Sequence, residues 1–465
     1  MLFIFPLIYI ASFAIALKEV LKGNRDGVLT FIIFGLPLYF TAMSVSFTLG
    51  LKSFIPIFQF FKELLILSVL ALNILSLKTR PRFHLVDYAI FAFLGYTFLY
   101  VILPIGDQSV GTKLLALKST SFFVVVYFAG RFMDIRSVYV NKYFNYVLLL
   151  TIGAGAINFF EVLFDQHLQT LTGYADYSYY FLNFEPTGSF GLSTTFESEG
   201  GYKRFASIFA TPLEHANATW IALAIIIALF TQEDNRFKFT SIGIVGLGAS
   251  FISIIFALSR APLASYFLII YIYALLTRKK YITYTVHTGM VLACIYLIYL
   301  FTRFEANHTD GILEVIMNTI DFSNPSSVGH LLQWLEGIAA MINNPLGLGL
   351  GSSGRVAATV SENVGGENQY IIIGVQVGII ALVLYLCIYI LLLKTGLKWW
   401  RHLKGKEKKL CIAVLLMKVG FFIPLMTSEV ESSSYISYLN WFLSGLLISI
   451  IMKHVASPIN ADLNA

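Results

Sequence analysis

About thirteen apolar runs dominate this chain, most of them near the roughly 20 residues that carry an α-helix across a bilayer. They fall at about 1–17, 28–49, 56–77, 86–103, 119–131, 146–164, 216–230, 241–257, 261–276, 286–301, 370–393, 410–427 and 435–452. Lipid offers no partner to a backbone N–H or C=O, so spans of this length must be helices that satisfy their own polar groups. The run at 119–131 is short, and can extend backward through Leu114–Lys118. Composition agrees: 57% of residues are hydrophobic and 12% charged, against about 25% charged in soluble domains. The expected fold is an all-α polytopic membrane protein, one integral membrane domain over residues 1–465 with about 13 (12–14) transmembrane helices. The N-terminal MLFIFPLIYIASFAIA lacks a basic n-region and a cleavage site, so it is read as the first span rather than a signal peptide. No internal repeat or low-complexity tract is visible. Cys294, Cys387 and Cys411 all fall in spans, with no CxxC and no disulfide framework.

Charge supplies the orientation. Odd-numbered connections carry Lys18, Lys22 and Arg25; Lys78, Arg80 and Arg82; Arg131, Arg136 and Lys142; Arg236 and Lys238; Arg278 to Lys280; and the cluster from Lys394 to Lys409. Even-numbered connections are longer in total and far poorer in Lys and Arg. Positive charge marks the cytoplasmic side, so the N-terminus is expected outside and the C-terminus inside. The net charge of +6 is scattered through short loops, which excludes a nucleic-acid partner. Two large loops, 165–215 and 302–369, then lie outside the cell, where chemistry cannot draw on cytoplasmic ATP or sugar nucleotides.

Arg260 sharpens this layout. Ser241 to Leu276 as one helix would run about 54 Å, against a hydrocarbon core of about 30 Å. The stretch must fold into two spans around "ALSRAP", with Pro262 helping to break the helix. Arg260 then sits in a tight turn at the outer rim, where its permanent charge is tolerable.

The outer loops hold the remaining polar chemistry. The first ends with Lys203, Arg204, Pro212 and His215 before the next span; Arg204 is either a solvated, headgroup-binding arginine or one that folds back onto the membrane. Its aromatics Tyr174, Tyr177, Tyr179, Tyr180, Phe181 and Phe184 suit an interfacial belt better than a sugar platform. In the second loop, a helix at about 328–342 is expected, capped by Ser326 or Ser327, ended by Asn343-Asn344-Pro345 and lying along the interface. Gly347, Gly349, Gly351 and Gly354 follow. Without a Gly-Lys-Ser/Thr this is no P-loop; it is a flexible turn or an anion nest. Glu367 and Asn368 open the next span, where a carboxylate either complements the helix dipole or serves as a general base. Glu197 with Glu199, and Glu429 with Glu431, are paired acids of a kind that can bind a divalent cation, although two acids at that spacing are a weak signal. No zinc spacing or nucleophile elbow is present, so no metal or cofactor is expected. Lys62, Glu63 and Lys418 are the charges inside spans, Lys418 being paired with Glu429 or Glu431 by guess.

Taken in order, "KRFASIFATP", "LSRAP", "GHLLQWLEGIAAMINNPLGLGLG" and "ENQYIIIGVQVGIIAL" resemble the O-antigen ligase and O-antigen polymerase superfamily of bacterial envelope enzymes, over roughly residues 200 to 393. The resemblance implies a metal-independent glycosyltransferase of the helical membrane (GT-C-like) class, in the bacterial inner membrane, acting at its periplasmic face. It would take a glycan from undecaprenyl diphosphate. The positions matching the family's diphosphate-holding arginines are Arg204 and Arg260, and arginine's planar fork suits a diphosphate that gains charge as it leaves. Lys203, His330, Trp334 and Asn368 lie in the same motifs and complete the expected substrate contacts. Ligases place a histidine where this chain has Glu367. A carboxylate can act as base, and this departure favours the polymerase branch, with His330 as the alternative base. The partners implied are lipid-linked donor and acceptor, membrane lipids, a chain-length regulator and a flippase. A ligase acting on lipid A core or protein, and a small-anion transporter, are the competing readings.

Overall fold

The computed structural model describes residues 2–198, 201–304, 325–360 and 363–456. Its helices are α1 (Ile4–Leu21), α2 (Val28–Phe34), α3 (Tyr39–Thr48), α4 (Ile55–Leu75), α5 (Leu85–Ile102), α6 (Val110–Arg131) and α7 (Val140–Phe164). After α8 (Leu168–Thr172) and α9 (Tyr174–Leu182) come α10 (Pro212–Phe230), α11 (Ser241–Phe256), α12 (Arg260–Leu276) and α13 (Lys280–Phe304). The chain closes with α14 (Pro325–Asn343), α15 (Gly354–Val360), α16 (Gln369–Trp399), α17 (Gly405–Phe421), α18 (Pro424–Thr427) and α19 (Ser434–Ala456). Among the described residues there is no strand, and ten helical segments are long and apolar enough to cross a bilayer. The protein is an all-α, multi-pass membrane protein.

Helices α10, α17 and α19 form the centre. With the α2–α3 segment they make the most buried set: the apolar windows of α10, α2–α3, α17–α18 and α19 are 83%, 78%, 72% and 94% buried, whereas those of α4 and α5 are 28% and 33% buried. The outer helices therefore turn large apolar side chains such as Leu67, Phe98 and Ile102 outward, as a lipid environment requires. Helices α6 and α19 pack closely. A Cβ added to Gly130 would lie 2.2 Å from the Phe442 carbonyl, and one added to Gly445 would lie 2.1 Å from that of Tyr127. Small residues let two backbones meet in this way.

Connections fall at two unlike ends. The basic end gathers short links: Lys406 donates to the carbonyls of Ile135, Arg136 and Val138, and Lys408 to that of Glu233. The loop-rich end holds 165–198, 201–211, 344–360, 363–368 and 428–433. The expected short run at 119–131 is longer than its hydropathy suggests, because α6 starts at Val110, capped by Ser109. Its two lysines are accommodated: Lys118 pairs with Glu63 at 2.8 Å, and Lys113 donates to the Leu103 carbonyl at 3.3 Å.

The turn around Arg260 forms as expected. Helix α11 ends at Phe256, Leu258 takes a positive φ of 45°, and α12 begins at Arg260. Pro262 stands in the first turn of α12, where a missing N–H removes no helical bond.

The α14 helix starts one turn earlier than expected. Pro325 takes its first position, so Ser326 and Ser327 lie inside the helix rather than capping it. The expected end at Asn343 is correct. Leu332, Leu335 and Ile342 leave an apolar face exposed, while Gly337 packs on Ile371 and Gly365.

The glycine run is neither a flexible turn nor an anion nest. Helix α16 is broken at Gly378 (φ 83°, ψ 174°), and the run is stapled into that break. Leu348 and Gly349 donate to the carbonyls of Val375 and Gln376 at 2.7 and 3.0 Å, and Ile379 donates to Pro345 at 3.0 Å. The Gln376 side chain adds bonds to Gly351 N and Ser353 O. Backbone groups freed by the break are thus paired with protein, as lipid surroundings demand. A Cβ on Gly347 would stand 2.6 Å from the Gly378 nitrogen, which is why glycine is needed.

Candidate functional site

The site is assembled at the loop-rich end, and its first wall is the segment Phe205–Phe209. All five residues are buried. Glu161 at the end of α7 holds it with one oxygen on Ser207 N–H and the other on Leu168 N–H, both at 2.8 Å. Gln169 donates to the carbonyls of Ser207 and Phe209, and Thr41 to that of Ile208. The motif KRFASIFATP is therefore a packed strap, not a solvated approach to the membrane. Its rigidity fixes Arg204, which is half-buried and donates from Nε to the Ala257 carbonyl at 3.1 Å. Phe205 N–H bonds the Phe256 carbonyl at 3.1 Å alongside. Arg204 is thus tied to the same turn that presents the exposed Arg260. Lys203 turns away: its ammonium binds the carboxylate and carbonyl of Asp165, each at 2.6 Å.

The second wall is carboxylate-rich. Glu214, three residues into α10 after its Thr211 cap, accepts from Ala210 N–H at 3.1 Å and from the Ser433 hydroxyl. Glu429 accepts from Arg355 N–H at 2.8 Å. The Arg355 side chain is exposed, and its charge acts on Glu429, Glu214, Tyr39 and Tyr174. That one charge therefore reaches groups on elements far apart in sequence. Burial pushes the Glu429 carboxyl above the usual range and Glu367 adds to the rise, while the backbone N–H and charge of Arg355 oppose it. Glu367 itself is exposed. The capping expected of it falls to Asn368, whose oxygen accepts from Tyr370 and Ile371 N–H at 3.0 and 3.3 Å. That commits Asn368 to the helix end and leaves Glu367 outside the cap.

Helix α14 approaches this wall through one face. Gln333 lies against Gly366, and Gly337 against Gly365 and Ile371. The helical spacing of 3 to 4 residues puts His330 and Trp334 on that face, with His330 half-buried and the Trp334 indole N–H buried without a protein acceptor. Helix α18 packs on both α12, which begins at Arg260, and α16, which Asn368 caps.

Below lies an aromatic cage. Lys418 Nζ is 3.9 Å from the Trp441 ring centroid and 4.5 Å from that of Tyr389. It has no hydrogen-bond acceptor. Its electrostatic partner is Glu431 rather than Glu429, and Glu431 accepts from Tyr389 OH at 2.7 Å and Trp441 N–H at 2.6 Å. The paired acids near the C-terminus are therefore split between two tasks. Glu199 lies outside the described residues, and Glu197 binds Ser189 N–H. The loop aromatics divide as well: Tyr174 and Tyr177 are buried against Phe40, whereas Tyr179, Tyr180 and Phe184 are exposed.

Sequence reasoning passed over Arg355 and Glu214. Arg355 stands alone in a long loop with no motif around it, and Thr211-Pro-Leu-Glu214 has the pattern of a helix cap, which hides a second use. No protein-family model matches the chain, and no curated protein matches it.

Proposed function

We propose that this protein is a polysaccharide polymerase of the bacterial inner membrane. In this reading it has thirteen spans, its N-terminus and loop-rich end are periplasmic, and its basic end and C-terminus are cytoplasmic. It would transfer a growing glycan from undecaprenyl diphosphate to the non-reducing sugar of another lipid-linked repeat. The observation that carries the reading is the Arg204–Ala257 bond, which ties one arginine to the turn that presents another. Two guanidinium groups tied to one site suit a diphosphate, the group on which charge grows as the glycosyl bond breaks.

The chemistry balances without further reagents. An acceptor hydroxyl attacks the anomeric carbon, the carbon–oxygen bond to diphosphate breaks, and the lipid diphosphate leaves against Arg204 and Arg260. Glu367 takes the hydroxyl proton, a role open to an exposed carboxylate that does not cap its helix. His330, on the neighbouring face of α14, stays the alternative base.

A transporter reading is favoured by one feature, the broken helix α16, since such breaks mark transport sites. Here the break is filled by the 345–351 backbone, which weighs for the enzyme. The test is a glycan gel with analysis of lipid-linked intermediates, in cells whose only copy carries Arg260→Ala. Loss of the ladder with accumulated single repeats is expected. A full-length ladder retained on the carrier would mean a ligase, and unchanged glycan in both pools would overturn the glycosyltransferase reading.

A further inference from the structure

Away from the candidate site, a cavity of about 750 Å³ opens between α1, α2 and α7 in the half of the bundle nearer the basic end. One wall is apolar: Leu7, Ile8, Ala11 and Ile15 follow one side of α1, and Leu7 and Ile15 are more than half exposed. The other end is polar, with Glu19, Asp26 and Lys142. From Leu7 to Glu19 the helix rises about 18 Å, close to the ~15 Å depth of one leaflet's hydrocarbon. The groove is thus apolar over an acyl chain's length and charged where a headgroup lies.

The charges select among headgroups. Asp26 is only 4% exposed, and its Oδ2 accepts Tyr139 N–H at 3.3 Å. Glu19 accepts from the Asn24 side chain at 2.8 Å. The Lys142 ammonium lies over the rings of Tyr143 and Tyr146 at 5.2 and 5.7 Å, and its charge acts on both acids. Two carboxylates and one ammonium therefore line the polar end, with the charges of Lys22 and Lys18 also acting on Glu19 from outside the lining. A purely anionic headgroup would bring its phosphate against Asp26. A headgroup carrying phosphate and a primary amine meets both signs: the phosphate on Lys142, the –NH₃⁺ on Asp26 and Glu19.

We propose that the α1–α2–α7 groove binds one aminophospholipid of the phosphatidylethanolamine type from the leaflet at the basic end. Only the primary amine can donate charge-assisted hydrogen bonds to these carboxylates, so it is retained about tenfold or more over its trimethylated analogue. The site stands apart from the proposed catalysis, and its test does not use activity.

The full-length protein in detergent is titrated with dioleoyl-phosphatidylethanolamine, -phosphatidylcholine and -phosphatidylglycerol, and retained lipid is counted by native mass spectrometry. One retained ethanolamine lipid, with about tenfold less of the other two, is expected. Ala11→Trp fills the apolar wall without touching the charges and abolishes retention at unchanged melting temperature. Asp26→Asn lowers ethanolamine retention to the choline level. Phosphatidylglycerol binding as well as the ethanolamine lipid would overturn the headgroup assignment. Retention untouched by Ala11→Trp, or no retained lipid, would overturn the site.

Discussion

At the basic end, the buried carboxylate of Asp87 receives His84 N–H, Tyr127 OH and Arg131 Nε, and Arg131 also donates to the Arg82 carbonyl. In the loop-rich half, the equally buried Lys418 has three aromatic rings and a nearby carboxylate, but no acceptor. The contrast is general. Among the described residues, Asn235 alone carries a buried, unpartnered side-chain atom at the basic end. The loop-rich half holds many, including both ring nitrogens of His167, the Trp334 indole and Lys418 Nζ. Burying a polar atom without a partner costs about 1–3 kcal/mol, so such atoms collect where a structure serves something besides its own stability. The basic end is a staple, and the loop-rich half is left with unmet polar groups.

The comparison can be broken most directly at the staple. Arg131→Met leaves Asp87, which is 0% exposed, with its His84 N–H and Tyr127 OH donors but without its guanidinium partner. Removing one partner of a buried pair costs about 3–5 kcal/mol, so thermal unfolding in detergent is expected to show the largest loss here. Gly347→Ala follows. It sets a Cβ at a φ of 84° against the Gly378 nitrogen, costing about 1–3 kcal/mol, and it loosens the loop held in the broken helix. Limited proteolysis between residues 345 and 353 should speed up in this variant alone.

Lys418→Met tests the other side. Glu431 keeps its Tyr389 and Trp441 donors, and burial already raises its carboxyl toward the protonated form. The expected loss of stability is within about 1 kcal/mol; on the proposed polymerase reading, polymer output falls well beyond that of a surface control. A loss as large as that of Arg131→Met would make the cage a second staple and erase the contrast.

The smallest effect is in pH dependence. His167 is boxed by Phe190, Phe196 and Phe205, and burial, with Lys203 nearby, pushes its pKa down to about 4. The unfolded chain takes up this proton near pH 6.5 and the folded one does not, so the contribution is full above about 6.5 and is lost as pH falls toward about 4. His167→Phe should flatten the fall in melting temperature across that window; an unchanged slope would assign it to other groups.

Parts of this site were legible. The tight turn at Arg260 followed from the length of Ser241–Leu276 against the bilayer, and the end of α14 followed from Asn-Asn-Pro. The cap at Asn368 was half visible, since its neighbour Glu367 offered the same chemistry one residue earlier. The burial of Phe205–Phe209 was not legible, because its bonds come from Glu161, Gln169 and Thr41, residues 38 to 167 positions away. Nor was the glycine staple, whose partners sit on a different helix.

The sequence by itself determined that this chain crosses a membrane many times as helices, and where most of those helices turn. Hydropathy and self-satisfied backbone bonds are local properties, and a bilayer reads them directly. Only the tertiary structure decided that Arg204 is tied to the Arg260 turn, that Arg355 bonds Glu429 through its backbone N–H, and that the charge of Lys418 acts on Glu431. Those pairings depend on which helices lie side by side, and long-range packing of near-uniform apolar surfaces leaves no local pattern in the sequence.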